Sequence, residues 1–404
     1  MKIALISDIH FGYFSRTAEF SVPGEPIEDE SKGGHSLESE LKDLLKDNCV
    51  EYLFVAGDMT SKGSPQEFHY CEKKILDIAE YAGIPIDNII CSVGNHDIDR
   101  KISDLAKISC SESSLPEVKS LTENKYQFIA SNAAELNIKK LHKLTGGVVP
   151  SSGIYLASSD FIVFVLNTSL LCSASQDIPH GKLTKEQLEW FDAKTLEYAQ
   201  DKRIKIVLMH HHPINYAYHI PSFDVSMIEE GSEMINIAGK NGIDIIVHGH
   251  RHHPTAMTRN EDGWIHPIAF LCAGSLSVNA KHRDNGEIPN TVHILEINKD
   301  DKDIILYNFK FTSAEGWKPV DNRTPAVPLD REMWLGKLPD ESATEEYLKE
   351  FSTCSHVFSW NDLPKNLKYM NIENLNKKIN NFYPDHIVTG KFPDNICIIP
   401  KGVM

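Results

Sequence analysis

The chain has 404 residues, with 41 Lys plus Arg and 57 Asp plus Glu, which gives a formal net charge of −16 at pH 7. A content of 41% hydrophobic and 24% charged residues excludes disordered and fibrous proteins and is typical of a globular protein. The negative charge disfavours a protein that coats nucleic acid or an anionic membrane, because its average field repels polyanions.

The cysteines are scattered along the chain without a C-x-x-C pair. The sequence therefore indicates neither a zinc ribbon nor a disulfide framework. The first residues already read as a strand, and no apolar run approaches the roughly 20 residues needed to cross a bilayer. We expect a cytoplasmic protein that has no membrane partner.

Short aliphatic and β-branched runs recur along the first three quarters of the chain, as expected for strands covered on both faces. They span 3–7, 52–56, 88–93, 161–167, 205–209, 244–247, 269–273, 291–297 and 303–309. Segments with helical periodicity lie between several of them, at 36–45, 65–81 and 184–199, and the last opens with Thr-Lys-Glu-Gln, which resembles a capping box. This alternation predicts an α/β architecture with helices packed outside the sheets.

Three stretches interrupt the alternation, at 11–35, 101–147 and 215–232. The first reads as an extended loop and the second as polar and helical. We expect all three to face the substrate, because long excursions from a sheet domain are usually functional.

The pattern changes near residue 317. Pro319, Pro325 and Pro328 mark a linker-like segment, after which 345–351 and 372–382 have helical spacing. The sequence therefore predicts a main domain at 1–316 and a small, mostly helical extension at 317–404. The extension could cap the sheet, bind a partner or pair subunits into a homo-oligomer.

Short motifs follow several of the predicted strands. In chain order they are Asp8-Ile9-His10, Gly57-Asp58, Gly94-Asn95-His96-Asp97, His211-His212-Pro213 and Gly249-His250-Arg251-His252. Residues two apart at a strand end can point the same way, so the Asp-x-His and His-x-His pairs can each place two ligand atoms in one small volume. Carboxylate, imidazole and amide ligands without thiolate suit borderline or hard divalent metals. The candidates outnumber the positions of one octahedral ion, whereas two metals that share a bridging carboxylate divide them naturally.

Each motif alone also has an ordinary structural explanation. Asp-x-His can be a strand end with a solvated histidine, and Gly-Asp and Gly-Asn-His-Asp can be turns. The run of histidines can be fortuitous. The conjunction of these strand-terminal motifs in one order favours a metal site over the separate explanations.

The order Asp-x-His, Gly-Asp, Gly-Asn-His-Asp, His-x-Pro and Gly-His-x-His resembles that of the calcineurin-like metallophosphoesterase superfamily, over residues 1 to about 312. The resemblance implies a four-layer αββα sandwich, in which two mixed β-sheets are flanked by helices. It also implies a dinuclear metal centre on the loops at one end. Residues 1–316 would then form the metallophosphoesterase catalytic domain.

When the ligands of the family are carried over motif by motif, the resemblance implies ligands for two divalent cations. The implied set is Asp8, His10 and His252 for the first ion, Asn95, His211 and His250 for the second, and Asp58 as the bridge. His211 is preferred to His210 because the ligand of the family usually stands two residues before the proline. Mn or Fe is favoured, with Zn, Co and Ni as alternatives, since ligand type alone does not select the metal.

The resemblance also implies roles for the two residues after Asn95. His96 would lie near the scissile phosphate and assist the leaving group, and Asp97 would orient it. The implied reaction is in-line attack on phosphorus by a hydroxide that the dinuclear centre activates.

The residues after Gly57-Asp58 discriminate between subfamilies. Protein Ser/Thr phosphatases carry Gly-Asp-x-x-Asp-Arg-Gly, whose Arg helps to hold the phosphate, whereas residues 57–63 here read Gly-Asp-Met-Thr-Ser-Lys-Gly. This stretch, together with 183–190 and 273–275, is more similar to the cyclic nucleotide and glycerophosphodiester phosphodiesterase group. We therefore expect a phosphodiesterase that hydrolyses a phosphodiester, for which a nucleotide is a candidate.

Two alternatives stay open. A nuclease of the same superfamily is disfavoured by the net charge, although lysines make about the last forty residues locally basic. A non-catalytic protein-binding scaffold on the same fold is disfavoured because every expected ligand position is filled.

Overall fold

A computed structural model describes residues 1–25, 27, 34–98, 154–169, 181–216, 226–321 and 323–401. The predicted helical segment 101–147 lies outside these residues, as does part of the predicted loop 215–232. The strands are β1 Lys2–Ile6, β2 Tyr52–Val55, β3 Ile89–Cys91, β4 Ile154–Ala157, β5 Phe161–Val165, β6 Ile204–Leu208, β7 Ile245–His248, β8 Thr255–Arg259, β9 Ile268–Cys272, β10 Asn290–Asn298, β11 Asp303–Thr312, β12 Gly316–Pro319, β13 Glu332–Leu335, β14 His356–Phe358, β15 His386–Gly390 and β16 Ile396–Pro400. The α-helices are α1 Leu37–Asp47, α2 Pro65–Ala82, α3 Lys185–Glu197, α4 Gly231–Lys240, α5 Glu341–Lys349, α6 Lys365–Lys368 and α7 Ile372–Phe382.

Two mixed sheets form the centre of the molecule. In the first, the strand order is β12-β11-β10-β1-β2-β3, and β13 pairs with β11. Strands β1, β2 and β3 are parallel, whereas β10 runs antiparallel to β1. In the second sheet the order is β4-β5-β6-β7-β9-β8, with β5, β6, β7 and β9 parallel. The carboxyl ends of the parallel strands in each sheet therefore open onto one edge, where loops collect.

The apolar residues of β1 show how the layers form. Ile3 and Leu5 pack against residues of the second sheet, in the core between the two sheets. Ala4 and Ile6 point to the opposite face, because side chains alternate along a strand, and pack against α1 and α2. The outer face of the second sheet is covered by α3 and α4, through residues such as Phe191 and Met234. The four-layer αββα arrangement implied by the sequence motifs is confirmed.

Local sequence signals fix the starts of the long helices. At the start of α2, Ser64 and Glu67 form a capping box and Pro65 occupies the first turn. At the start of α3, the side chain of Thr184 accepts from the backbone N–H of Gln187, and the predicted capping box is confirmed. Among the described helices, none combines the length and the apolar character that a membrane crossing requires.

The predicted extension contains more strands than its sequence indicated. Helices α5, α6 and α7 pack with a three-stranded antiparallel sheet of order β14-β16-β15, and together they enclose a separate apolar core. Strands β12 and β13 instead pair with β11 in the first sheet. The boundary at 316/317 stays a prediction, as do the proposed roles of the extension in capping, partner binding and homo-oligomer formation.

One carboxylate of the first sheet binds three groups of the extension. Asp303, at the start of β11, has a side chain that is only 3% exposed. It accepts hydrogen bonds from Lys337 Nζ at 2.6 Å, Lys365 Nζ at 2.7 Å and Tyr369 Oη at 2.5 Å. Burial alone would raise the pKa of Asp303, but these hydrogen bonds outweigh it and lower the pKa to about 2. Asp303 therefore ties residues on both sides of α5 to the sheet.

We predict that Asp303→Asn lowers the free energy of unfolding by about 1–3 kcal/mol at pH 7, because two ammonium groups lose their charged acceptor. The folded pKa lies below that of an unfolded carboxyl. The contribution of Asp303 is therefore complete above about pH 4 and disappears as the pH falls towards 2. Urea unfolding of both proteins at pH 7 and at pH 3 measures this, and the difference between them should shrink at pH 3.

Asp321→Asn is the matched control. Its carboxylate is 68% exposed and lies 3.9 Å from Lys310, so we expect almost no change in stability. Equal stability of Asp303→Asn and wild type at pH 7 would show that the three hydrogen bonds contribute nothing.

Candidate metal centre

The loops that follow β1, β2, β3, β6 and β7 converge at one edge of the two sheets. The backbone N–H of Asp8 donates to Gly57 O at 3.1 Å, and that of His10 donates to Asp58 O at 2.9 Å. In the second sheet, the N–H of Gly249 donates to the carbonyl of His210 at 3.0 Å. These bonds continue the parallel pairing beyond the strands and hold the motifs side by side.

Most of the candidate ligands have left-handed backbone conformations. The φ angles are 51° at Asp8, 48° at His10, 50° at Asp58, 72° at His250 and 54° at His252. This conformation is uncommon for residues with a Cβ atom and costs about 1–3 kcal/mol at each position. Here it turns each side chain sharply out of its strand direction and towards the shared edge.

Two glycines allow the loops to approach one another closely. A Cβ atom on Gly249 would lie 1.8 Å from Ser7 Oγ, and one on Gly94 would lie 2.1 Å from the backbone nitrogen of Asp58. Both neighbours are fixed, since Ser7 Oγ donates to Asp8 Oδ2 at 2.6 Å. Any larger residue at either position would therefore clash, so both motifs require glycine.

The first predicted ligand set lies together. One ligand atom from each of Asp8, His10 and His252 falls in a group whose members are all within 4.8 Å of one another. His252 Nε2 lies 3.1 Å from Asp8 Oδ1, and His10 Nε2 lies 3.8 Å from the same oxygen. His10 Nε2 also lies 3.3 Å from Oδ2 of Asp58, which connects this group to the next.

The second group contains Asp58, His210 and His250. His210 Nε2 lies 3.2 Å from Asp58 Oδ2 and 3.1 Å from Asn95 Oδ1. His250 Nδ1 lies 3.2 Å from His210 Nε2. Asp58 therefore stands between the two groups, where a bridging carboxylate is expected.

His211, which the sequence motif favoured over His210, lies beside the second group. It is buried, its Nδ1 lies 2.8 Å from Thr168 Oγ1, and its Nε2 has no hydrogen-bond partner among the described residues. The geometry favours His210 as the ligand, and the choice of His211 stays a prediction. Counting from the end of β6 at Leu208, and not back from the proline, would have selected His210, because the chain reaches the sheet edge there.

Backbone carbonyls orient two of the imidazoles. His210 Nδ1 donates to Ala56 O at 2.7 Å, and His252 Nδ1 donates to the carbonyl of His282 at 2.7 Å. A carbonyl can only accept, so in each ring Nδ1 bears an N–H and Nε2 is the nitrogen that faces the carboxylates. This arrangement is typical of metal-binding histidines. No sequence motif indicated the partners Ala56 and His282.

His96 lies at the rim of the two groups. A ring nitrogen of His96 falls within 4.8 Å of ligand atoms of His10 and Asp58. Its backbone N–H donates to Asp58 Oδ1 at 2.8 Å, and its Nδ1 donates to the carbonyl of Ser61 at 3.0 Å. The Ser61 carbonyl thus helps to orient this ring, a contact that no sequence motif indicated.

Asp97 forms hydrogen bonds with the surrounding loops. It accepts from the backbone N–H groups of Gly94 and Thr60, both at 2.9 Å, and from Thr60 Oγ1 at 3.0 Å. Burial and the charge of Asp58 raise the pKa of Asp97 to about 6. Asp97 therefore fixes the Gly-Asn-His-Asp loop against the loop after β2, and its predicted action on His96 stays a prediction.

The carboxylates of Asp8 and Asp58 change the pKa of the imidazoles around them. Burial lowers the pKa of an imidazole, but hydrogen bonding and charge from Asp58 and Asp8 raise the pKa of His10 to about 9. Burial likewise lowers the pKa of His210, but the charge of Asp58 outweighs this effect and raises the pKa to about 9. The two buried carboxylates thus favour positive charge on the groups next to them.

The donor atoms fit divalent metal ions. Asp8 Oδ1 and both ring nitrogens of His10 are buried and make no well-oriented hydrogen bond within the part of the chain that the structure describes. Such atoms are costly to bury unless a further group satisfies them. Carboxylate oxygens and imidazole nitrogens lie in two neighbouring groups, and Asp58 contacts His10 of one group and His210 of the other. Such a set suits a pair of borderline divalent cations.

Comparison with solved structures finds a similar fold in a plant phosphatase. A purple acid phosphatase from yellow lupin (Lupinus luteus) seeds has a TM-score of 0.50 and 11% identity, covering 83% of this chain and 54% of the lupin chain. A dimetal phosphatase from Danio rerio has a TM-score of 0.46 and 9% identity, covering 83% of this chain and 98% of the other. The chain thus spans about half the length of the lupin protein. No curated protein sequence matches the chain.

Comparison with protein families gives a match to the calcineurin-like phosphoesterases over residues 1–254. This region contains β1 to β7 and all of the motifs that meet at the sheet edge. Because the match extends over more than half of the chain, the protein belongs to the calcineurin-like phosphoesterase family.

Proposed function

We propose that the protein is a dinuclear metal-dependent phosphodiesterase. The observation that carries the proposal is the convergence of ligand atoms from loops of both sheets on the carboxylate of Asp58. The proposed ligands are Asp8, His10 and His252 for one ion, Asn95, His210 and His250 for the other, and Asp58 between them. Mn or Fe is the favoured metal pair.

The protein's own groups provide orientation and a proton. Two cations, when bound, supply an activated water and neutralise charge on the phosphoryl oxygens. His96 is anchored through its backbone N–H to Asp58 and through Nδ1 to Ser61. Its Nε2 can therefore carry a proton towards the departing oxygen without losing the orientation of the ring, a role worth about 10²–10⁴-fold in rate.

The loop after Asp58 favours a diester over a monoester. A monoester brings one more negative charge, which an Arg in a bidentate contact would neutralise well. At the position where the Ser/Thr phosphatase motif has Arg, this chain has Lys62. Its Nζ lies 4.6 Å from the centre of the Tyr13 ring and 3.6 Å from Glu25 Oε1, so its charge is already partly balanced.

The lysines near the C-terminus give little support to the nuclease alternative. Lys365 binds Asp301 and Asp303, Lys377 binds Glu373, and Lys378 binds Glu341 and Glu345. Each of these ammonium groups already has a carboxylate partner. A phosphate backbone would have to displace those partners, which reduces the gain from each contact.

The first prediction from this proposal concerns substrate class. With added Mn²⁺, we expect bis(p-nitrophenyl) phosphate to be hydrolysed with a higher kcat/KM than p-nitrophenyl phosphate. Release of p-nitrophenolate measures both reactions. Preference for the monoester would overturn the assignment as a diesterase, and cleavage of supercoiled plasmid faster than of small diesters would favour the nuclease.

The second prediction separates the two candidate histidine ligands. His210→Ala should lower bound metal by about one equivalent per chain, because His210 Nε2 faces both Asp58 and Asn95. His211→Ala is the matched control, from the same loop and equally buried. Elemental analysis of the purified proteins, with circular dichroism to verify folding, decides between them. Loss of metal only in His211→Ala would restore the choice made from the sequence.

The third prediction concerns His96. His96→Ala should reduce kcat for the diester by about 10²–10⁴-fold while the metal content stays equal to that of wild type. Steady-state kinetics and elemental analysis on the same preparation measure the two effects. A variant that loses metal would instead identify His96 as a ligand.

A further inference from the structure

An aromatic side chain borders the candidate metal centre on the side of His10 and His96. The ring centre of Phe14 lies 5.9 Å from that of His10 and 5.6 Å from that of His96, with edge-to-face geometry in both pairs. Phe14 also packs edge-to-face on His282 at 4.5 Å. One wall of the site next to the reacting groups is therefore apolar and flat.

Tyr13 extends this wall outwards. Its ring centre lies 5.4 Å from that of Phe14, and the residue is 49% exposed. The ammonium of Lys62 lies 4.6 Å from the centre of the Tyr13 ring. An exposed aromatic ring beside a cluster of polar groups is a feature of ligand sites, because such a ring offers a large contact area to a planar group.

Hydrogen bonds anchor the backbone that carries the two rings. The N–H of Phe14 donates to Ser61 Oγ at 3.1 Å, and the carbonyl of Phe14 accepts from Asn279 at 2.9 Å. Within the turn, the N–H of Ser15 donates to the carbonyl of Gly12 at 3.0 Å. Tyr13 thus stands on a turn whose backbone is anchored at both sides, so that a ligand need not order that backbone.

We propose that Tyr13 and Phe14, the aromatic wall, bind the planar ring of a nucleoside group attached to the phosphate. The inference rests on the proposed function, since it assigns a substrate class to the same site. A ring bonded directly to the phosphate oxygen, as in a phenyl ester, lies next to His96 and reaches Phe14. A base separated from the phosphate by a ribose extends further out, where the exposed face of Tyr13 stands.

The test compares ligands that differ in their ring. Adenosine 5′-monophosphate, phenyl phosphate and ribose 5-phosphate are titrated calorimetrically into the Mn²⁺-loaded protein. Monoesters are products of the proposed reaction and are therefore bound without turnover. We expect adenosine 5′-monophosphate to bind about ten-fold more tightly than ribose 5-phosphate, and Tyr13→Ala to remove that difference. Tyr13→Phe should keep it, and phenyl phosphate should bind Tyr13→Ala as it binds wild type.

Tyr81→Ala is the matched control. Tyr81 is 47% exposed and has Lys46 Nζ 4.8 Å from its ring centre, but it lies on α2. It should change none of the three affinities. Equal binding of adenosine 5′-monophosphate and ribose 5-phosphate to wild type would overturn the aromatic wall and leave the phosphodiesterase intact. A wild-type protein that binds all three ligands weakly and hydrolyses no diester would instead contradict the proposed function.

Discussion

The carboxylate of Asp58 is the interaction on which the rest of the site depends. It stands 3.3 Å from His10 on the first sheet and 3.2 Å from His210 on the second, and it accepts the backbone N–H of His96. The two sheets must therefore pack in one register at this edge, and the core between them, which contains residues such as Phe54 and Phe161, maintains that register.

Much of the fold follows from the sequence, for physical reasons. Continuous apolar runs indicate strands buried on both faces, and each predicted run forms a strand. Two of the missed strands, β8 and β14, are of a different type. In β8 the burial alternates with exposure, and β14 has three residues, so neither presents an apolar run. Helix α4 was missed because two glycines and two isoleucines weaken the helical preference of its ten residues.

The candidate site could be predicted by residue type but not by arrangement. The family match supports a metal-dependent phosphoester hydrolase, and the geometry brings most of the predicted ligands together. Whether His210 or His211 is the ligand depends on the residue at which β6 ends. A motif counted back from Pro213 does not specify that residue. The partners Ser61, Ala56 and His282 act through backbone carbonyls, and any residue supplies that group. Sequence patterns therefore contain no signal for them.

The left-handed backbone of the candidate ligands has a consequence for transplanting the site. A residue such as His10 or His252 adopts φ near 50° only because paired loops and buried strands on either side leave it no alternative. A short peptide with the same letters would relax to an extended chain, and its carboxylate and imidazole would point apart. Grafting this chemistry onto another scaffold thus requires copying the crossing of the loops as well as the amino acids.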